Sequence, residues 1–121
     1  PTALISPSVK IGHGNVILAN AEIDTNVVIG NFNTVKSLCL LGHDSQIGNN
    51  NFLAPGTIVG SGVRIGERNF FGLSSTFRNG IEVGNRNIIA MGSNVVKDVH
   101  DDMILMGNPA RKKEKLNNII R

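Results

Sequence analysis

His43 and Asp44 stand side by side at a turn of a chain that otherwise repeats itself. An imidazole changes charge near neutral pH and can accept a proton from an attacking group. A carboxylate beside it orients the ring and raises its basicity. The pair therefore suits a general base. The other two histidines, His13 and His100, are far from His43 in sequence, and no two of the three have metal-ligand spacing. Cys39 is the single cysteine. It falls in an inward-facing position and reads as a small core residue, not a nucleophile. No activated serine or cysteine accompanies the histidine.

The elements that position this pair are written in the repeat. Stepping by six from Ile5 meets Ile11, Ile17, Ile23, Ile29, Val35, Leu41 and so on to Val95, and every position is apolar. A glycine follows the aliphatic at Gly12, Gly30, Gly42, Gly48, Gly60, Gly66, Gly72 and Gly84. These glycines are expected to relieve a positive φ at the turns. A second period lies over the first: "IGHGN", "IGNFN", "IGNNN", "IGERN" and "VGNRN" recur every 18 residues. Short strands joined by tight turns, three to a coil, make a triangular prism. The aliphatic and the residue two before it point inward, and the residue between them points out. A ladder of Asn15, Asn33, Asn51, Asn69 and Asn87 then stacks from coil to coil and satisfies its own buried amides.

The outward columns differ in character. Lys10, Val28, Gln46, Arg64 and Glu82 make a solvated face. Val16, Thr34, Phe52, Phe70 and Ile88 make an apolar stripe, and Glu22, Leu40, Ile58, Thr76 and Asn94 are apolar only in the middle. Two apolar faces on a prism suit a three-fold bundle, so a homotrimer is expected; the alternative is that the stripe packs under the C-terminal segment. The 18-residue register fails after Val95, and residues 111–121 read as a short amphipathic helix with Leu116, Ile119 and Ile120 on one side.

These motifs resemble the left-handed parallel β-helix of the hexapeptide-repeat acyltransferases, over residues 5 to 110. The stretch "GHDSQIGNNNFLAPGTIVGSGVRIG" is similar to the sialic-acid O-acetyltransferase and nucleotide-amino-sugar N-acetyltransferase group. The resemblance implies an all-β fold of about five 18-residue coils, with a β-helix domain at residues 1–100. A C-terminal strand or loop and a basic tail would fill 101–121. It implies an acetyl-CoA-dependent enzyme of polysaccharide biosynthesis in the cytoplasm that N-acetylates a nucleotide-linked 4-amino sugar. O-acetylation of a sialic acid or another small acceptor is the alternative within the class, and a structural or ice-binding prism the alternative outside it. His43 would be the catalytic base and Asp44 its partner. Leu73 and Met91, one coil apart, would bind the pantetheine arm through their amides, beside Gly72 and the stripe bearing Phe52. His43 of one chain would then face the Leu73–Met91 corner of its neighbour. Relatives carry a second histidine where this chain has Phe52. They also carry a nucleotide-binding domain ahead of the β-helix, which these 121 residues do not contain.

Other classes fit poorly. A formal charge of +3 with no Trp or Tyr is weak support for a nucleic-acid binder. No apolar run approaches the roughly 20 residues that span a bilayer. No metal is implied, since the trimeric β-helix carbonic anhydrases place two zinc-binding histidines close in sequence.

Overall fold

The computed structural model describes residues 3–115. Sixteen two-residue strands run from Leu4–Ile5 to Asn94–Val95, each offset from the next by six residues. Every third strand pairs in parallel at a register of 18: Leu40 with Ile58, Arg64 with Glu82, Phe52 with Phe70. The result is a parallel β-solenoid of three faces. Face I carries Leu4, Glu22, Leu40, Ile58, Thr76 and Asn94; face II carries Lys10, Val28, Gln46, Arg64 and Glu82; face III carries Val16, Thr34, Phe52, Phe70 and Ile88. The period-two reading holds: Ile23, Val35, Leu41, Leu53, Val59, Phe71 and Ile89 are buried while their outward partners are not.

The asparagine ladder forms as the repeat requires. Asn51 donates from its backbone N–H and from Nδ2 to Asn33 Oδ1, at 2.9 and 3.0 Å, and from Nδ2 to Gly66 O at 2.9 Å. Its own Oδ1 accepts from the backbone N–H and Nδ2 of Asn69, both at 3.0 Å. Buried amides thus pair along the axis, and few polar groups are left without partners.

The glycines have a different role from the one expected. Those following the aliphatic do not carry the positive φ; it falls two residues later, at Asn20, Asn26, Phe32, Leu38, Asp44, Asn50 and their equivalents. The glycine is needed because adjacent coils touch there. A Cβ on Gly42 would lie 2.6 Å from the Gly60 carbonyl carbon, and one on Gly72 would lie 2.6 Å from Met91 N. Backbone stacking at strand spacing leaves no room for a methyl group.

Beyond Val95 the solenoid continues with a rung two residues short. Val83 bridges Val99, and Ile88 pairs with Ile104, at a spacing of 16. The coil count is therefore about six turns, where the 18-residue period alone gives about five. A strand Met103–Gly107 completes this rung on face III, and a second, Ala110–Lys115, pairs with it antiparallel. Residues 111–115 are therefore strand, not the start of a helix: the open parallel edge offers a row of unpaired backbone groups that outweighs helix propensity. Residues 116–121, with Leu116, Ile119 and Ile120, lie outside the described residues. Because this hairpin extends face III edge-on, it does not cover the apolar stripe. Val16 stays 49% and Phe70 44% exposed. Phe52 and Phe70 stack with centroids 5.2 Å apart.

Candidate active site

The corner between faces I and II is built from Thr25-Asn26, His43-Asp44, Ser61-Gly62 and Asn79-Gly80, one pair per coil. Its backbone is locked from both sides: Asp44 N–H donates to Thr25 O at 2.9 Å, and Gly62 N–H donates to His43 O at 2.9 Å. Asp44 has φ 62°, a left-handed conformation that Asp and Asn tolerate better than most residues. That backbone aims its carboxylate at the neighbouring ring, and His43 Nδ1 lies 2.9 Å from Asp44 Oδ2. The His43 hydrogen bond holds the Asp44 carboxyl below its ordinary range, with the Asn26 side chain one coil earlier adding to the effect. An ionised carboxylate only accepts, so the bond has Nδ1–H donating, and in the neutral ring Nε2 then carries the lone pair. The two side chains are 58% and 60% exposed. The pair is therefore an oriented imidazole–carboxylate couple presented to the outside.

The other candidate residues lie elsewhere on the same prism. Leu73 and Met91 occupy the corner between faces III and I, 46% and 69% exposed. Gly72 precedes Leu73, and Phe52 stands on face III with Lys36 Nζ 5.8 Å from its ring centroid. The structure thus groups Gly72, Leu73 and Met91, and places His43 with Asp44 at the opposite end of face I. His13 lies on the third corner and His100 in the short final rung. Among the described residues no three His, Cys, Asp or Glu side chains converge as a metal site. Cys39 is buried, its thiol 3.2 Å from Ala54 O and pushed up in pKa by burial, as a core position would have it.

The turn amides carry a signal that the sequence reading missed. At five turns the first turn residue donates its N–H to an Asn or Asp side chain at the same position of the next coil. The pairs are His13 to Asn31, Asn31 to Asn49, Ser61 to Asn79, Glu67 to Asn85 and Asn85 to Asp101, at 2.7–2.9 Å. Each capping oxygen packs on the glycine before the donor. His43 and Leu73 have Ser61 and Met91 in the capping position. Among the described residues, no acceptor takes the N–H of His43, Leu73 or Met91. The pattern was readable from the sequence: an Asn or Asp 18 residues on marks a used amide. The amides at His43 and Leu73 are thus uncommitted among the described residues, as are those of Asn49 and Asn79.

The prism is convex at both corners. Concavities of about 430 and 230 Å³ lie instead at its C-terminal end, around Arg64, Glu82 and His100 and around Val95, Val99 and Leu105. Neither includes His43, Leu73 or Met91.

No protein-family model matches the sequence, and a search of curated proteins finds no match. Solved structures do match. A perosamine N-acetyltransferase from Caulobacter crescentus, a histidine-to-asparagine mutant in complex with CoA and GDP-perosamine, superposes with a TM-score of 0.93 at 30% identity. That match covers 95% of this chain and 55% of the other. The acetyltransferase domain of PglB from Neisseria gonorrhoeae, in complex with acetyl coenzyme A, superposes with a TM-score of 0.92 at 30% identity, covering 93% and 55%. WeeI from Acinetobacter baumannii shares the fold, with a TM-score of 0.76 at 24% identity, covering 90% and 57%. The chain thus spans little more than half the length of these proteins. Over nearly all of its own length it is a hexapeptide-repeat β-solenoid whose fold matches that of the left-handed β-helix N-acetyltransferases.

Proposed function

We propose that this chain is the acyl-transfer domain of an acetyl-CoA-dependent N-acetyltransferase, and that its acceptor is the amine of a nucleotide-linked 4-amino sugar. The observation that carries the reading is the His43–Asp44 pair, with Nδ1 2.9 Å from Oδ2 and the ring exposed. It stands on a prism that matches, at a TM-score of 0.93, an enzyme solved with CoA and GDP-perosamine. In this reading Nε2 takes a proton from the sugar nitrogen as it adds to the thioester carbonyl. The thioester C–S bond then breaks, and the CoA sulfur leaves with a proton returned from the imidazolium. Such a positioned base contributes about 10²–10⁴-fold.

The co-substrate would run along the corner between faces III and I. There the free N–H groups of Leu73 and Met91 meet its amide carbonyls, and Gly72 and Phe52 flank the groove. A homotrimer would supply the missing walls, with His43 of one copy opposite the Leu73–Met91 corner of the next. The exposed stripe at Val16, Phe52 and Phe70 supports association, since soluble proteins seldom leave such patches bare. The cytoplasm, where acetyl-CoA and nucleotide sugars meet, is the compartment this reading requires.

His43→Ala tests the reading. The expected result is a loss of roughly 10²-fold or more in kcat with assembly intact. Unchanged turnover of a GDP- or UDP-linked 4-amino sugar would remove it.

A further inference from the structure

One ring on the stripe of face III is held from two coils. Phe52 stacks on Phe70 of the next coil, with centroids 5.2 Å apart and planes 2° from parallel. From the coil before, Lys36 reaches over the same ring, its Nζ 5.8 Å from the centroid. Stacking and cation contacts of this kind favour one ring orientation. Phe52 is half-buried, so part of a braced apolar surface still faces outward.

The height of this ring along the prism shows what it would meet. In a three-fold bundle whose axis runs along the prisms, equivalent residues of the three copies stand at one level. Successive coils are one strand spacing apart, about 4.8 Å per 18 residues. Phe52 follows His43 by nine residues, so the base of a neighbouring copy stands about 2.4 Å from the level of Phe52. Leu73 and Met91 lie about 8 and 13 Å beyond that base towards the C-terminal end. An arm bonded to both amides therefore carries its thioester on the N-terminal side of Leu73, where the base can serve it. The outward side chain of face III at that height, next to the corner, is Phe52.

We infer that Phe52 is the wall against which the acyl group rests, and that it selects acetyl over longer acyl chains. This rests on the proposed function above. The thioester carbon has to lie where an amine held by the neighbour's Nε2 can add to it. The remainder of the acyl group then projects from that carbon at the level of the ring. A methyl group can lie against the ring without moving it. Each further methylene has to displace a side chain that Phe70 and Lys36 both brace, and a braced wall yields poorly to added volume.

Initial rates with acetyl-, propionyl- and butyryl-CoA and one nucleotide-linked 4-amino sugar test this. One methylene is worth about 10–200-fold to a packed pocket, so wild-type kcat/KM is expected to fall by about that factor from acetyl- to propionyl-CoA. Phe52→Leu and Phe52→Ala should shrink the ratio about tenfold or more, chiefly by faster turnover of the longer donors. Ile88→Ala lies on the same stripe but about 12 Å from the level of the base, and should keep the wild-type ratio even if it loosens assembly. Equal kcat/KM for acetyl- and butyryl-CoA in the wild type would overturn the inference, and that comparison needs no variant to fold. An unchanged ratio in both Phe52 variants would also overturn it, as would an equal shift in Ile88→Ala. The two levels fail differently. If His43→Ala keeps full turnover, the proposed function fails; if acetyl transfer depends on His43 but donor choice does not depend on Phe52, only the acyl wall fails.

Discussion

The asparagine ladder gives a sharp stability test because its rungs are not equivalent. Replacing Asn51 by Leu keeps the count and branching of the side-chain heavy atoms and removes every amide bond the side chain makes. Lost are the Nδ2 bonds to Asn33 Oδ1 and Gly66 O, and the Oδ1 that accepts from Asn69 N–H and Nδ2. Asn69 Nδ2 keeps Gly84 O, but the buried Asn69 N–H is left with no partner. An orphaned buried donor costs about 1–3 kcal/mol, and each lost net bond about 0.5–1.5 kcal/mol. Burial of leucine returns part of this, so about 2–4 kcal/mol is expected. Asn87 sits where the ladder meets the short rung. Its Oδ1 accepts from Met103 N–H at 2.8 Å, but its Nδ2 is buried without a partner. Asn87→Leu orphans one donor and removes another, so it should cost about 2 kcal/mol less than Asn51→Leu. With no Trp or Tyr in the chain, urea unfolding is best followed by circular dichroism, at one fixed protein concentration. An Asn87→Leu variant as destabilised as Asn51→Leu would refute the bond-by-bond reasoning.

Two further outcomes concern the site. Asp44→Asn keeps a residue suited to the left-handed turn but removes the charge that fixes the ring, so kcat should fall at least tenfold, to roughly 10⁴-fold at the extreme. The folded-state pKa of Asp44 is lowered, so its contribution is present above the ordinary carboxylate range and is lost as pH falls through the folded value. Above the ordinary carboxylate range the wild-type rate should therefore exceed that of Asp44→Asn, and the gap should close in stronger acid; equal rates above that range would contradict the pairing. Leu73→Pro removes one N–H at a corner that already accommodates proline at Pro55. KM for acetyl-CoA should rise about 2- to 12-fold, the worth of one hydrogen bond, with kcat unchanged, and an unaltered KM would detach Leu73 from the co-substrate.

Much of this molecule could be read before its structure was known, because a repeated unit repeats its environment. The hexad fixed which side chains face inward, and the 18-residue period set the register of all three faces. His43-Asp44 stood out because it interrupts a pattern. What stayed hidden depends on contacts between coils. Gly42 and Gly72 are required by the backbone of the next coil, 2.6 Å from where a Cβ would sit, and not by their own φ. The 16-residue rung at Val99 and Ile104 was masked because deleting two residues destroys the period while leaving the pairing intact. The strand at Ala110–Lys115 forms on an edge that exists only after the solenoid has closed. The free amides of His43 and Leu73 were legible in principle, from Ser61 and Met91 standing where Asn or Asp caps other turns.

The central claim is that the base and the co-substrate corner act from different copies of the chain. Two disabled variants test it most directly: His43→Ala, and the double variant Leu73→Pro with Met91→Pro, each assayed at low acetyl-CoA and then co-assembled in equal amounts. If the site is shared, random mixing restores an intact pair at about one interface in four, and activity returns to about that fraction of wild type. Activity no greater than the average of the two separate variants would contradict the account.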